Sequence, residues 1–68
     1  MDDDRFLKYI SEYKDAFYRF LKRNLHNTAM IDDVFSDAVI TAYQEKDKFQ
    51  DGTNFKAWMY KILLNKLF

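Results

Sequence analysis

The chain has 68 residues, which is enough for a single small domain but not for two separate hydrophobic cores. Its 11 basic and 11 acidic side chains cancel, and a net charge of zero argues against a domain that binds along nucleic acid by charge alone. Without cysteine it has no disulfides, thiol nucleophiles or thiolate metal sites, and this favours a cytoplasmic protein. No apolar run approaches a membrane span, so we expect no membrane partner.

The first predicted helix runs from about Asp4 to Leu25. Its apolar residues recur at steps of three and four, the spacing of one helix face, and they are Phe6, Ile10, Tyr13, Phe17, Phe20 and Leu21. We expect Asp3 or Asp4 to cap its first turn. Lys22 and Arg23 lie near its end, where basic side chains complement the helix dipole.

A second helix is predicted to follow a short turn and to end near Lys46. Asn27 or Thr28 can cap its start. Its inward stripe again follows steps of three and four, through Ile31, Val34, Phe35, Ala38 and Ala42.

A third helix is predicted after the polar loop that holds Gly52, the single glycine of the chain. Thr53 or Asn54 can cap it, and its inward residues are Phe55, Trp58, Met59 and Ile62. Strands are disfavoured because no stretch alternates apolar and polar residues for long. We therefore predict an all-α fold, a compact three-helix bundle, with residues 1–68 forming one domain.

Charge is distributed unevenly along the chain. Residues 29–45 hold four acidic side chains and no basic one, whereas residues 55–68 hold three lysines and no acid. Such runs are commonly solvated helix faces. Their segregation by sign also fits two different partners, a basic one for the second helix and an anionic one for the third.

The second helix carries an isoleucine on its outward side. Asp33, Asp37, Ile40 and Gln44 fall opposite the inward stripe on a helical projection. Two interpretations stay open for Ile40: a singly exposed apolar residue, which is common, or the apolar centre of a docking patch with a polar rim.

The last two turns of the third helix are apolar nearly all round. Tyr60, Leu64 and Phe68 lie away from the inward stripe, and contiguous apolar surface of this kind is usually covered. Either the natural polypeptide continues and packs there, or another molecule does; we favour a segment of a longer protein. Tyr60 lies beside Lys56 and Lys61, so it can also stack on an unpaired base.

Side chains for catalysis or metal binding do not form a recognisable arrangement. His26 is the single histidine and lies in a predicted turn, and Ser11 has no assembled partner in sequence. Asp33 and Asp37, one turn apart, supply too few oxygens for a calcium site. We predict no enzymatic activity, no cofactor and no metal.

Two segments of the chain together carry a family pattern. The first is AMIDDVFSDAVITAY (29–43) and the second is GTNFKAWMYKILLN (52–65), with Phe49 between them. They resemble the region 2 domain of bacterial RNA polymerase sigma factors, most closely the extracytoplasmic-function type. The residues that match the family pattern are Asp32, Asp33, Val34, Phe35, Asp37, Ala42, Tyr43, Phe49, Trp58, Met59, Ile62 and Asn65.

The resemblance implies a role in transcription initiation, with core RNA polymerase and promoter DNA as partners and an anti-sigma factor as a further candidate. In that family the acidic face of the second helix docks on the clamp coiled coil of the β′ subunit, and the third helix together with the loop beyond it opens and reads the promoter −10 element. The implied polymerase-binding residues are Asp32, Asp33, Ser36, Asp37, Ile40 and Gln44. The implied DNA-binding residues are Lys56, Tyr60, Lys61, Asn65 and Lys66.

Two features depart from the family pattern. Ser36 stands where glutamine is usual, and the sequence stops at Phe68, before the Asp-x-x-Arg and basic run that usually follow. Base recognition by these residues alone would therefore be incomplete. Two other interpretations remain: a sigma-like decoy that binds an anti-sigma partner and never touches DNA, and an orphan three-helix scaffold without a specific partner.

Overall fold

Three α-helices and one short 3₁₀ turn form the fold in a computed structural model that describes residues 1–68. The helices are α1 (Asp3–Asn24), α2 (Thr28–Gln44) and α3 (Phe55–Leu67), and the 3₁₀ turn is Lys46–Lys48. The prediction of an all-α three-helix bundle is confirmed. None of the helices combines the length and apolar character needed to cross a membrane.

Side-chain caps begin all three helices. The Asn27 side chain accepts hydrogen bonds from the first amides of α2, and the Asn54 side chain accepts from the Ala57 amide of α3 at 3.0 Å. For α1 the prediction was off by one residue: Asp2, not Asp3 or Asp4, accepts from the Arg5 amide at 2.8 Å. Each cap satisfies amides that lack a partner within the helix.

The direction of each helix follows from side-chain contacts at its ends. Tyr18 of α1 donates to Asp32 near the start of α2, and Tyr43 near the end of α2 donates to Asp3 at the start of α1. The two helices are therefore antiparallel. Because Phe55 stacks on Tyr9 near one end of α1 and Tyr60 meets Phe17 further along it, α3 runs parallel to α1.

The core contains only apolar side chains and lies where the three helices meet. Its buried members are Phe6, Ile10, Phe17, Leu21, Ile31, Phe35, Ala38, Ala42, Phe49, Phe55, Met59, Ile62 and Leu63. The predicted stripes of α1 and α2 face inward, although Tyr13, Phe20 and Val34 are only partly buried. Aromatic rings in edge and stacked contacts fill much of this volume, which suits a chain with few residues.

The inward side of α3 is wider than predicted. Leu63 is fully buried although the sequence pattern did not select it, and Trp58 is half-buried against Phe49 and Phe55. Tyr60, predicted to lie away from the core, is half-buried against Phe17. The prediction was wrong for Tyr60 because α1 as well as α2 packs on α3, so the two helices together cover a broader arc.

The loop before α3 turns at Gly52, whose φ of 88° lies in the region that favours glycine. The Thr53 amide donates to the Gln50 carbonyl at 3.2 Å, which closes the turn. Arg5 of α1 forms an ion pair with Asp51 at 3.1 Å. The loop is thereby tied to α1, and it delivers Phe55 into the core at the first position of α3.

Candidate functional site

The outward side of α2 forms an exposed acidic face, which we define as Asp33, Ser36, Asp37, Ile40 and Gln44. At 100° per residue these positions lie on one side of the helix, opposite the buried stripe. Ile40 is 57% exposed at the centre of the face. The helix contains no basic residue, so nothing on α2 itself neutralises the acids. The arrangement can bind a surface that offers basic side chains around an apolar contact.

Asp32, which the family resemblance assigned to the polymerase set, does not lie on the acidic face. It lies at the edge of α2 that faces α1, where the Tyr18 hydroxyl donates to its carboxylate at 3.0 Å. Partial burial and this neighbouring carboxylate together raise the pKa of the Tyr18 hydroxyl. In this structure Asp32 therefore holds α1 and α2 together.

The opposite edge of the acidic face is joined to α3 by an ion pair. Lys66 Nζ lies 3.3 Å from an Asp37 carboxylate oxygen. Asp37 is one of the predicted polymerase-binding residues and Lys66 one of the predicted DNA-binding residues, so the structure brings together two groups that the sequence assigned to different partners. The Lys66 side chain is mostly covered, whereas Asp37 keeps 60% of its side chain exposed.

The predicted DNA-binding residues spread over three sides of α3. Lys61 and Asn65 point to solvent, and Lys66 turns towards α2. Lys56 and Tyr60 lie on the side that faces α1, where the Lys56 ammonium lies 5.8 Å from the centre of the Tyr13 ring. Only Lys61 and Asn65 form a freely exposed polar pair on α3.

Sequence reasoning missed two cations that approach this α1 side. Arg19 and Arg23 of α1 line a groove together with Lys56 and Tyr60 of α3. The sequence signal was the four-residue spacing of the two arginines, which places them on one side of a helix. It was not recognised because the acidic and basic residues of α1 nearly cancel, and Arg23 was assigned to the helix dipole.

Comparison with known proteins identifies the family of the chain. Residues 9–68 match the family model of sigma-70 region 2, and the chain therefore belongs to the sigma-70 region 2 family. Over 64 residues it is 34% identical to the ECF RNA polymerase sigma factor SigW of Bacillus subtilis (strain 168). That alignment covers 94% of this chain and 34% of SigW, so the chain spans about a third of the relative's length.

No solved structure matches the chain. The resemblance to a sigma factor region 2 domain of the extracytoplasmic-function type, which the sequence predicted, is confirmed by the family match and by the relative. The chain is accordingly a sigma-70 region 2 domain.

Proposed function

We propose that this domain docks on core RNA polymerase through the acidic face of α2 and presents α3 to the promoter −10 element. The main support for the proposal is Ile40, a largely exposed isoleucine on the same side of α2 as the carboxylates of Asp33 and Asp37. An apolar centre with a charged rim is the usual anatomy of a protein interface.

The proposed partner of the acidic face is the clamp coiled coil of the β′ subunit. A helical partner with basic side chains would complement the carboxylates and cover Ile40. Complementary charge of this kind mainly raises the association rate and fixes the register of docking. Asp33 forms no ion pair within the domain, so its carboxylate is free to pair with such a partner.

The proposed DNA side is the outward side of α3, where Lys61 and Asn65 are exposed. A lysine and an amide can contact a phosphate and a base edge respectively. In this proposal the domain binds its two partners on different helices and acts by docking and strand capture, without covalent chemistry. Contact with the −10 element would therefore leave the acidic face available to the polymerase.

The docking proposal is tested by charge reversal on α2. The Asp33→Lys/Asp37→Lys variant should bind an isolated β′ clamp coiled coil about tenfold more weakly or worse, because attraction at two positions becomes repulsion. Circular dichroism should show the same helix content, since exposed charges contribute little to stability. Isothermal titration calorimetry gives the two affinities.

A matched control reverses two acids on another helix. Glu12 and Asp15 of α1 are exposed and form no ion pair, and the Glu12→Lys/Asp15→Lys variant changes the net charge by the same amount. It should bind the clamp nearly as well as the wild type. If both variants bind the clamp equally weakly, the loss of affinity comes from net charge and not from the acidic face. If all three proteins bind with equal affinity, the proposed docking face is wrong.

A further inference from the structure

The loop between α2 and α3 has a firmly anchored first half. The Phe49 ring is buried against Phe55 and Trp58, with ring centres 5.6 and 5.3 Å away. The Lys46 ammonium lies 3.5 Å from an Asp3 carboxylate oxygen of α1, and the Lys46 side chain is only 16% exposed. Apolar packing and a partly covered ion pair therefore attach this half of the loop to the bundle.

The surroundings of Lys46 keep it a cation. The partial loss of water around the side chain lowers its pKa, but the carboxylates of Asp47 and Asp3 outweigh that effect, and the pKa lies above its ordinary value. The ammonium also lies 5.3 Å from the centre of the Tyr43 ring. Two carboxylates and an aromatic ring around one charge make this end of the loop hard to detach.

The second half of the loop, Gln50–Asn54, is held differently, and we call it the strap. None of its residues is buried. Its turn is closed within the strap, where the Thr53 amide donates to the Gln50 carbonyl at 3.2 Å. The strap has one ion pair, in which a guanidinium nitrogen of Arg5 in α1 lies 3.1 Å from an Asp51 carboxylate oxygen. This ion pair therefore holds the strap against α1.

The Arg5–Asp51 pair is easy to release. Both side chains are more than half exposed, at 51% and 63%. A pair between exposed side chains shifts an equilibrium by about fivefold at most, and salt screens it. The strap can therefore leave α1 at little cost while Phe49 stays in the core.

The strap also holds the start of α3. Its last residue, Asn54, accepts from the Ala57 amide through its side chain at 3.0 Å and from the Trp58 amide through its carbonyl at 3.1 Å. We propose that Arg5 and Asp51 form an electrostatic latch, which fixes the strap on α1 and thereby orders the first turn of α3. When the latch opens, the strap and this first turn loosen together while the three-helix core stays folded.

The latch goes beyond the proposed function, and only its consequence rests on that function. α3 is the helix that the proposed function turns towards promoter DNA, so a closed latch presents its first turn already ordered. Ordering before binding lowers the conformational cost of the complex. The test uses the free domain without polymerase or DNA, so failure of the latch leaves the proposed function standing.

Amide exchange with solvent, measured by NMR on the ¹⁵N-labelled 68-residue chain, tests the latch. Arg5→Glu and Asp51→Arg should each accelerate exchange of the Thr53 and Ala57 amides by at least about threefold, because attraction becomes repulsion. The Ile31 amide, which is hydrogen-bonded at the start of α2, should keep its rate. Equal acceleration at Ile31 would mean that the pair stabilises the whole domain, and an unchanged rate at Thr53 and Ala57 would mean that it holds nothing. Either result would overturn the latch.

A charge swap and a matched control sharpen the test. Arg5→Glu/Asp51→Arg restores opposite charges and should return the exchange of the Thr53 and Ala57 amides to within about twofold of the wild type. Lys8→Glu makes the same change in net charge as Arg5→Glu, on an exposed lysine of α1 that forms no ion pair. It should leave both rates nearly unchanged. A swap that exchanges as fast as the single variants, or a control that exchanges as fast as Arg5→Glu, would show that the pair is not a latch.

Salt provides a second test, because the latch predicts opposite signs in two proteins. In the wild type, raising the salt from about 50 to 500 mM screens an attraction, so exchange at Thr53 and Ala57 relative to Ile31 should become faster. In Arg5→Glu the same salt screens a repulsion, so the relative exchange should become slower. The same direction of change in both proteins would contradict the proposal.

Discussion

At the scale of single residues, neighbours decide what each carboxylate of α2 can do. Asp32 accepts from Tyr18 and Asp37 pairs with Lys66, whereas Asp33 has no partner within the domain. Three acidic residues that look equivalent in sequence therefore differ in how free their carboxylates are to bind a partner. Asp33 is the carboxylate that we expect to contribute most to docking, because binding a partner does not require it to give up an internal contact.

The Tyr18–Asp32 hydrogen bond should make folding stability depend on alkaline pH. Burial and Asp32 raise the pKa of Tyr18 above its ordinary value of 10.0. The folded state thus holds the proton more tightly than the unfolded chain, so this stabilisation is fully present below about pH 10 and is lost as the pH rises through the raised pKa.

The Tyr18→Phe variant isolates that contribution. Urea unfolding of wild type and variant should give a stability difference at pH 8 that shrinks as the pH is raised towards 11. The two proteins differ only in the Tyr18 hydroxyl, so the other contributions to the pH dependence of stability cancel in the comparison. A difference that stays constant over this range would show that the hydrogen bond does not control the pKa of Tyr18.

Gly52 is the residue at which backbone conformation limits substitution. Its φ is 88°, and no atom lies within 4 Å of the position that a Cβ would occupy. A larger side chain at this position would therefore strain the backbone but would not clash with another atom. Gly52→Ala should lower the free energy of unfolding by about 1 kcal/mol. Gly52→Asn should lower the free energy of unfolding by less, since asparagine adopts positive φ more readily. If both variants lose the same amount of melting temperature in thermal melts, backbone strain at residue 52 is not the cause.

At the scale of elements, α3 is where sequence and structure differ most. Leu63 is fully buried and its neighbour Leu64 is 42% exposed. Leu63→Ala should therefore destabilise the domain by about 2–5 kcal/mol, the cost of a large truncation in a core. Leu64→Ala should change stability by less than about 0.5 kcal/mol, as surface substitutions usually do. Chemical denaturation of both variants measures the two values, and a larger loss for Leu64 would reverse the assigned faces.

Leu64 also lies beside Phe68, which is 94% exposed. We expect Leu64→Glu to keep the melting temperature and helix content close to those of the wild type. If the exposed apolar surface makes the chain self-associate at high concentration, the same substitution should weaken that association in sedimentation experiments. A melting temperature that collapses would place Leu64 in the core.

The three helices were predictable from the sequence, but the residues that each of them turns towards the core were not all predictable. The stripe of α2 can be read because its apolar and acidic residues separate cleanly around the helix. In α3 apolar residues point in almost every direction, so periodicity does not distinguish Leu63 from Leu64. The α1–α3 groove escaped prediction for another reason: Arg23 and Lys56 become neighbours only through the packing of two helices distant in sequence.

At the scale of the whole molecule, the ion pair between Asp37 and Lys66 links the proposed polymerase side to α3. A basic side chain of the polymerase would compete with Lys66 for the same carboxylate. Lys66→Ala should therefore tighten clamp binding by about two- to fivefold, which corresponds to the 0.5–1 kcal/mol typical of stronger exposed ion pairs. Weaker binding by this variant would instead mean that Lys66 contacts the polymerase or orients Asp37 for it.

Chemical-shift mapping can test, residue by residue, the proposal that the acidic face of α2 binds the polymerase. The ¹⁵N-labelled 68-residue chain is titrated with unlabelled β′ clamp coiled coil. If the acidic face is the docking surface, the amides shifted most should be those of Asp33, Ser36, Asp37, Ile40 and Gln44, while those of Arg19 and Arg23 stay in place. Shifts confined to the α1–α3 groove, or no shifts at saturating clamp, would contradict it.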